Sequence, residues 1–566
     1  MKFSQIKYER VDLAAVDAQT VALTERARFA ATFEELDAIL AEKDRLDGEG
    51  IRTMRTVAQI RRDMDTNDDF YAGEVQFYNR ELPKSRHLGK AWTETLLRSP
   101  LRRAMEEKYG GVALLNAEIS NRTFQPELVE DLQKESELVS EYSKLIASAR
   151  IEFDGKTLTL AQMAPYKLST DDALRRGAWR AEGKWFRNHG KELDRIFDEL
   201  VALRDGMGRK LGHNGFTQLG YDRMQRNCYM EKDVEQFRIA VQRDVVPLCK
   251  RIYMAQAQRM GFEFPLSFAD KDLAFKTGNP KPLGSAADIL AAGTVFYNEL
   301  SSETREFWNQ MMEQEMMDVH ARPGKAAGGY CAPVYGPKLP FIFANFNGTA
   351  QDVKVITHEA GHGFAFYLNR DRIVGMMPGM EACEVHAMAM EFFADDRAEL
   401  FFGPDGDKAR YAHLTERLYL IAYGTMVDHF QHIVYEYPEF GPNERHMVWQ
   451  ELLGVYMPWL RPDDILFYGE GRGWQRQSHI YATPFYYIDY ALAQAVALQF
   501  WAMIRQDRDE AWQTYLDYAR LGGSMVFTDL LEAAKLRSPF DPECLRDITA
   551  MAKEYLDSFD MEEIDG

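Results

Sequence analysis

Cysteine is scarce. Five residues, Cys228, Cys249, Cys331, Cys383 and Cys544, are spread over a chain of 566, odd in number and never paired as C-x-x-C. That argues against a disulfide framework and predicts reduced thiols in a cytosolic protein. Positive charge is also in deficit, with 68 Lys and Arg against 88 Asp and Glu, a formal net charge of −20. A surface this acidic repels phosphate backbones, so no nucleic-acid partner is expected. No uninterrupted hydrophobic run is present: the greasiest stretch, Pro484 to Ile504, is broken by Asp489, Gln494 and Gln499, and reads as a buried helix, so no membrane span is expected. The opening MKFSQIKYER has no apolar segment of the kind a secretory leader needs, in keeping with a cytoplasmic location. Fixed-period repeats and the phosphate-cradling G-x-x-x-x-G-K-[ST] pattern are likewise missing.

What the chain does have is core material. Hydrophobic residues make up 46% and aromatics 12%, with 34 Phe, 27 Tyr and 9 Trp, which excludes a disordered chain. Apolar positions such as Val21, Leu23, Phe33, Leu36 and Leu40 predict one long helix over 12–47. Helical texture continues through 51–67, 90–108, 126–147, 171–211, 231–261 and 286–318. It returns at 350–368, 383–402, 408–436, 444–456, 484–506, 508–520 and 541–557. Asp154-Gly155, set between β-favouring runs, predicts a hairpin at 151–160. A Gly- and Pro-dense stretch at 322–349 turns into a β-like run, Phe341–Phe346. The expected class is mainly α, with a small β element just before the 350–368 helix.

That helix contains His358-Glu359-Ala-Gly-His362, an H-E-x-x-H pattern. Histidines four residues apart lie about 40° apart around a helix, so both imidazoles can reach one ion. Glu359 sits beside them, near the water an open zinc position would hold, and can take its proton. Two histidines leave a catalytic zinc one protein ligand short. The long zincin form would need His at 368, which is Leu368. Downstream, Glu384, Met388, Glu391 and Asp395 fall on one helical face. Glu384 is expected as the third ligand, with Glu391 or Asp395 holding a ligand imidazole from behind. His386 and Glu381 are read as bystanders.

Three separated segments resemble a known family: GGYCAPVYGPKLPFIFANFNGTAQDVKVITHEAGHGF, the glutamate in ACEVHAMAMEFF, and the Tyr-rich PFYYIDYALA. Together with ASARIEFDGKTLTL and LGYDRMQRNCY they look like the oligoendopeptidase F branch of the thimet-oligopeptidase zinc metallopeptidases, and within it most like the Pz-peptidase type, which cuts short collagen-like peptides. The resemblance runs from about residue 110 to the C-terminus. It implies a two-lobed helical clam-shell around a deep channel, with one Zn2+ per chain. His358, His362 and Glu384 become the metal ligands and Glu359 the general base. It further implies that His479 and Tyr490 stabilise an oxyanion, helped by Tyr487; Tyr481 and Tyr486 stay open as alternative helpers. The partition it suggests is an N-terminal helical region, 1–195, and a catalytic region, 196–566.

For substrate binding, an exposed edge on the β-run, at Phe343, Ala344 and Asn345, is expected to pair with an extended peptide backbone. The Gly-rich 324–336 loop, with Gly328 and Gly329, is expected to admit substrate or act as a flap. The activity these features point to is zinc-dependent hydrolysis of internal bonds in short, unfolded oligopeptides. The alternatives are a carboxypeptidase or dipeptidyl carboxypeptidase on a related scaffold, or a non-catalytic peptide-binding protein.

Overall fold

The computed structural model describes residues 1–322, 324–326, 328–372 and 378–565. Ala327 of the expected flap therefore lies outside the described residues. The chain is mainly helical, as its texture predicts. The 12–47 segment is two helices, not one, Leu13–Phe29 and Phe33–Arg45. The break follows from Thr32, whose hydroxyl accepts from the Glu35 N–H and so caps a new helix where an unbroken one would have continued. The hairpin forms as expected, Ile151 opposite Leu158, with Asp154 and Gly155 both at positive φ as a tight two-residue turn requires.

Packing divides the chain into two compact units along lines other than a 1–195/196–566 cut. One unit comprises 1–121, 281–403 and 503–536; the other comprises 122–280, 404–502 and 537–566. The second holds the hairpin, a two-residue parallel pairing of Leu266–Ser267 with Leu460–Arg461, and most of the buried helix Ile488–Gln506. Among the described residues no helix is long and apolar enough to cross a membrane.

The first unit contains a three-stranded sheet. Leu339–Phe346 is its central strand, paired in parallel with Met317–His320 on one side and antiparallel with Tyr330–Val334 on the other. This corrects the expectation of a free edge at Phe343, which pairs with Asp318 on one side and Tyr330 on the other. The antiparallel pairing ends there, short of Ala344 and Asn345, and Phe341, Ile342, Phe343 and Ala344 are buried. A run apolar on both faces belongs in the middle of a sheet.

From the central strand the chain turns through Asn347-Gly348 into the helix Ala350–Leu368. Asp352, in its first turn, accepts from the Asn347 N–H at 3.0 Å and the Gly348 N–H at 2.7 Å, which pins the turn to the helix. This helix packs against Met380–Asp395 more extensively than any other two elements among the described residues. Gly361 makes that possible. A Cβ there would stand 2.6 Å from the Ala387 Cα and 2.8 Å from the His386 carbonyl oxygen, both backbone atoms.

Gly361→Ala is therefore expected to destabilise the fold by about 1–3 kcal/mol, the range for overpacking. Gly206, inside the helix Gly190–Lys210, has nothing within 4 Å of its would-be Cβ, so Gly206→Ala should be neutral or stabilise by up to about 1 kcal/mol. Urea unfolding of both variants checks the pair; equal effects would refute the close-packing argument.

Candidate metal centre and active site

His358 and His362 project from one side of their helix, their rings 4.8 Å apart and nearly perpendicular. The neighbouring helix brings Glu384 between them: its Oε2 lies 3.5 Å from His358 Nε2 and 3.9 Å from His362 Nε2. One ligand atom from each of the three residues falls within a 4.8 Å group. Behind the pair, Glu391 Oε1 accepts from His358 Nδ1 at 2.7 Å, fixing the tautomer that turns Nε2 toward Glu384. His362 is braced differently, by the Cys383 backbone carbonyl. Of the two carboxylates expected behind the histidines, Glu391 holds His358, while Asp395 is half-buried at the last residue of the helix. His386 lies buried against Tyr518, its carbonyl accepting from the Tyr515 hydroxyl. Glu381, also buried, is not part of the three-residue group.

The electrostatics ask for a cation. Burial by itself would push the His358 imidazolium pKa down, yet Glu384 and Glu391 overcome it and raise the value to about 10. At His362 burial wins and lowers it to about 4. One neutral imidazole, one imidazole held against two buried carboxylates, and a carboxylate between them form a donor set that fits a divalent ion with N and O preferences. Glu359, on the same helix, is raised to about 6, first by burial and then by the negative charge of Glu384 and Glu391. His358 and a hydrogen bond from the Cys331 backbone N–H pull the other way. A carboxylate poised there can take and return a proton near neutrality.

In the second unit, the His479 ring lies 5.7 Å from Tyr486, 5.0 Å from Tyr487 and 5.8 Å from Tyr490. Gln477 Nε2 lies 2.8 Å from His479 Nδ1 and donates to it, which puts the ring proton on Nε2, while Tyr423 donates to the same glutamine. Tyr481 is elsewhere: it stacks on Tyr142 with ring centres 3.9 Å apart, fully buried, and donates to the Leu193 carbonyl. Gln477 and Tyr423 were not anticipated. No motif marks them, and Tyr423 is a helix aromatic like many others.

Comparison with known proteins decides the family. A model of the peptidase M3 N-terminal domain matches residues 3–124 and one of peptidase family M3 matches 291–549. A crystal structure provisionally named oligoendopeptidase F is 42% identical over 99% of this chain and 100% of its own, with a TM-score of 0.94. PZ peptidase A, solved with an inhibitor, is 41% identical over the same shares, also at 0.94. The chain belongs to the oligoendopeptidase F branch of peptidase family M3. An oligoendopeptidase F homolog from Borreliella burgdorferi is 25% identical over 43% of this chain, a stretch that spans 41% of that relative.

The two M3 matches meet within the first unit. The Ala326 N–H donates to the Asp63 carbonyl and the Tyr330 hydroxyl to the Asp63 carboxylate, so a helix of the N-terminal match holds the Gly-rich loop. The ammonium of Lys325, its side chain fully buried, contacts the Asp318 carboxylate and the carbonyls of Asp318, His320 and Ala344 at 2.6–3.1 Å. Asn345 Nδ2 donates to the carbonyls of Ala326 and Gly328. This part of the expected flap is thus tied down, and Asn345 serves as one of the ties. Gly328 and Gly329 are exposed and lead into Tyr330–Val334, an outer strand of the sheet.

Replacing Glu391 removes the partner that orients His358. Glu391→Ala is expected to weaken the affinity of the three-residue group for an added divalent ion about 10–100-fold. Competition with a chromophoric chelator reads this directly, and unchanged affinity would rule out an orienting role.

Proposed function

We propose that this chain is a zinc-dependent oligoendopeptidase of the reducing cytoplasm, hydrolysing internal bonds of short, unfolded peptides. One observation carries the reading: two imidazoles and a carboxylate converge within 4.8 Å, with a carboxylate of pKa about 6 on the same helix. The names of relatives in the M3 family support peptide substrates, and five free thiols support a reducing compartment.

His358, His362 and Glu384 hold the metal, and Glu391 orients His358. When bound, zinc supplies a Lewis acid that acidifies water and polarises a carbonyl. Glu359 takes a proton from the attacking water as its oxygen bonds to the scissile carbonyl carbon. As the C–N bond breaks, Glu359 passes that proton to the leaving nitrogen, which departs as an amine. Burial of Glu359 serves the first half, because a carboxylate near pKa 6 takes a proton more readily than an exposed one. Tyr490 and the Nε2–H of His479, assisted by Tyr487, donate hydrogen bonds to the oxyanion. A phenol and an imidazole N–H are suited to this, being strong donors that carry no counter-charge.

Glu359→Gln is expected to bind one zinc per chain, as wild type does, and to lose about 10²–10⁴ in kcat. Metal analysis together with single-turnover cleavage checks both; substantial turnover would reassign the base. A peptide blocked at both ends separates the endopeptidase from an exopeptidase. Mass spectrometry should find internal cuts that stop on chelation and return with zinc. No cleavage of the blocked peptide, with cleavage of its free form, would favour the carboxypeptidase alternative.

A further inference from the structure

Beneath the aromatic turn of the second unit lies a buried ion pair that has no part in the steps above. The Arg226 side chain is 1% exposed and that of Asp489 0%, with Arg226 Nη1 2.5 Å from Asp489 Oδ1. The other Nη of Arg226 donates to the Phe485 carbonyl at 2.8 Å. Tyr229 stacks over the same guanidinium and sets its hydroxyl 3.5 Å from the same carboxylate oxygen. Arg226 therefore grips both ends of the segment Phe485-Tyr486-Tyr487-Ile488-Asp489, and Tyr490 follows at once.

This segment needs holding. Phe485 has φ +66, a conformation that costs a bulky residue about 1–3 kcal/mol and persists only where its surroundings impose it. Its N–H is taken by Gln431 Oε1 at 3.0 Å. Its ring is buried among Phe216, Tyr221, His432 and Tyr435, against Gly220, where any Cβ would come within 2.5 Å of it. Past the strained residue the rings of Tyr486 and Tyr487 stand 5.0 and 5.2 Å from that of Tyr490.

We propose that Arg226 is a positioning residue for peptide hydrolysis, clamping the Phe485 carbonyl and the Asp489 carboxylate so that Tyr490 keeps the orientation its donor role requires. This rests on the role proposed for Tyr490 above. Arg226 does not act on substrate itself. A lysine in its place keeps the charge and can reach one partner but not both in the same planar geometry, so the turn would relax while the core stays filled.

The test compares Arg226→Lys, Asp489→Asn, Tyr490→Phe and the double variant Arg226→Lys/Tyr490→Phe in the full, zinc-loaded chain. It reads kcat, KM and the affinity for a phosphinic peptide with a tetrahedral phosphorus in place of the scissile carbonyl. Arg226→Lys is expected to lower kcat about 10–100-fold, the scale of a small misplacement of a reacting group, with little change in KM. Phosphinate affinity should fall by a similar factor, and the double variant should be no slower than Tyr490→Phe alone. Losses that multiply in the double variant, or wild-type kcat for Arg226→Lys beside a slow Tyr490→Phe, would overturn the proposal while leaving the role of Tyr490 intact. Wild-type kcat for Tyr490→Phe would instead remove that role, and the positioning role with it. Should Arg226→Lys fail to fold, Asp489→Asn, which keeps the shape and removes the charge, decides by the same readouts.

Discussion

The site depends on a contact between two backbones. At Gly361 the helix carrying His358 and His362 comes so near the helix carrying Glu384 and Glu391 that no side chain fits between them. Helix axes ordinarily stay 8–10 Å apart, with side chains filling the gap; a glycine at the crossing permits a closer approach. A glutamate is short, so its carboxylate can reach an imidazole on another helix only if the helices are this near. The distances of 3.5 and 3.9 Å from Glu384 to the two histidines, and 2.7 Å from Glu391 to His358, are consequences of that contact. The same contact brings Glu384 and Glu391 near enough for their negative charge to add to the burial that raises Glu359.

Close packing also concentrates charge. Glu384 and Glu391 raise Glu359, and both draw His358 toward its charged form. Buried carboxylates that face one another without a cation are costly. A divalent ion relieves that cost where the proton on His358 does so only in part, which ties metal binding to the stability of this pair of helices. The net charge of −20 is largely a matter of surface, but these carboxylates belong to the site.

The metal helix was readable because its information is local: two histidines and a glutamate within five residues, at the period of a helix. Glu384 followed from the same periodicity one helix later. The choice between Glu391 and Asp395 could not be made from sequence, since both share a face and only the crossing angle of the helices selects one. The β-run was recognised, but its place in the sheet was not. An apolar strand looks the same whether its neighbours are present or missing, and its partners come from Met317–His320 and Tyr330–Val334. The break at Thr32 was missed because a single capping hydroxyl outweighed a continuous apolar pattern. Least visible of all were Arg226, whose partners lie about 260 residues on, and Lys325, an ordinary lysine in a glycine-rich loop.

Those two cations share a device. Carbonyls along an irregular strand pairing or in a strained turn can lack a helix or ladder donor, and buried carbonyls must find donors. Lys325 gathers three of them and a carboxylate; Arg226 gathers one and a carboxylate. A neutral donor could satisfy a carbonyl, but it would release it at little cost. A buried cation cannot: losing one partner leaves its charge exposed to a medium that solvates it poorly, a penalty of about 3–5 kcal/mol. The turn is thus held by the cost of abandoning the cation as well as by the strength of any one hydrogen bond. That explains why a charged side chain, expensive to bury, stands where a leucine would pack as well. The loop leading to the outer strand and the turn leading to Tyr490 need a fixed backbone more than they need maximal stability.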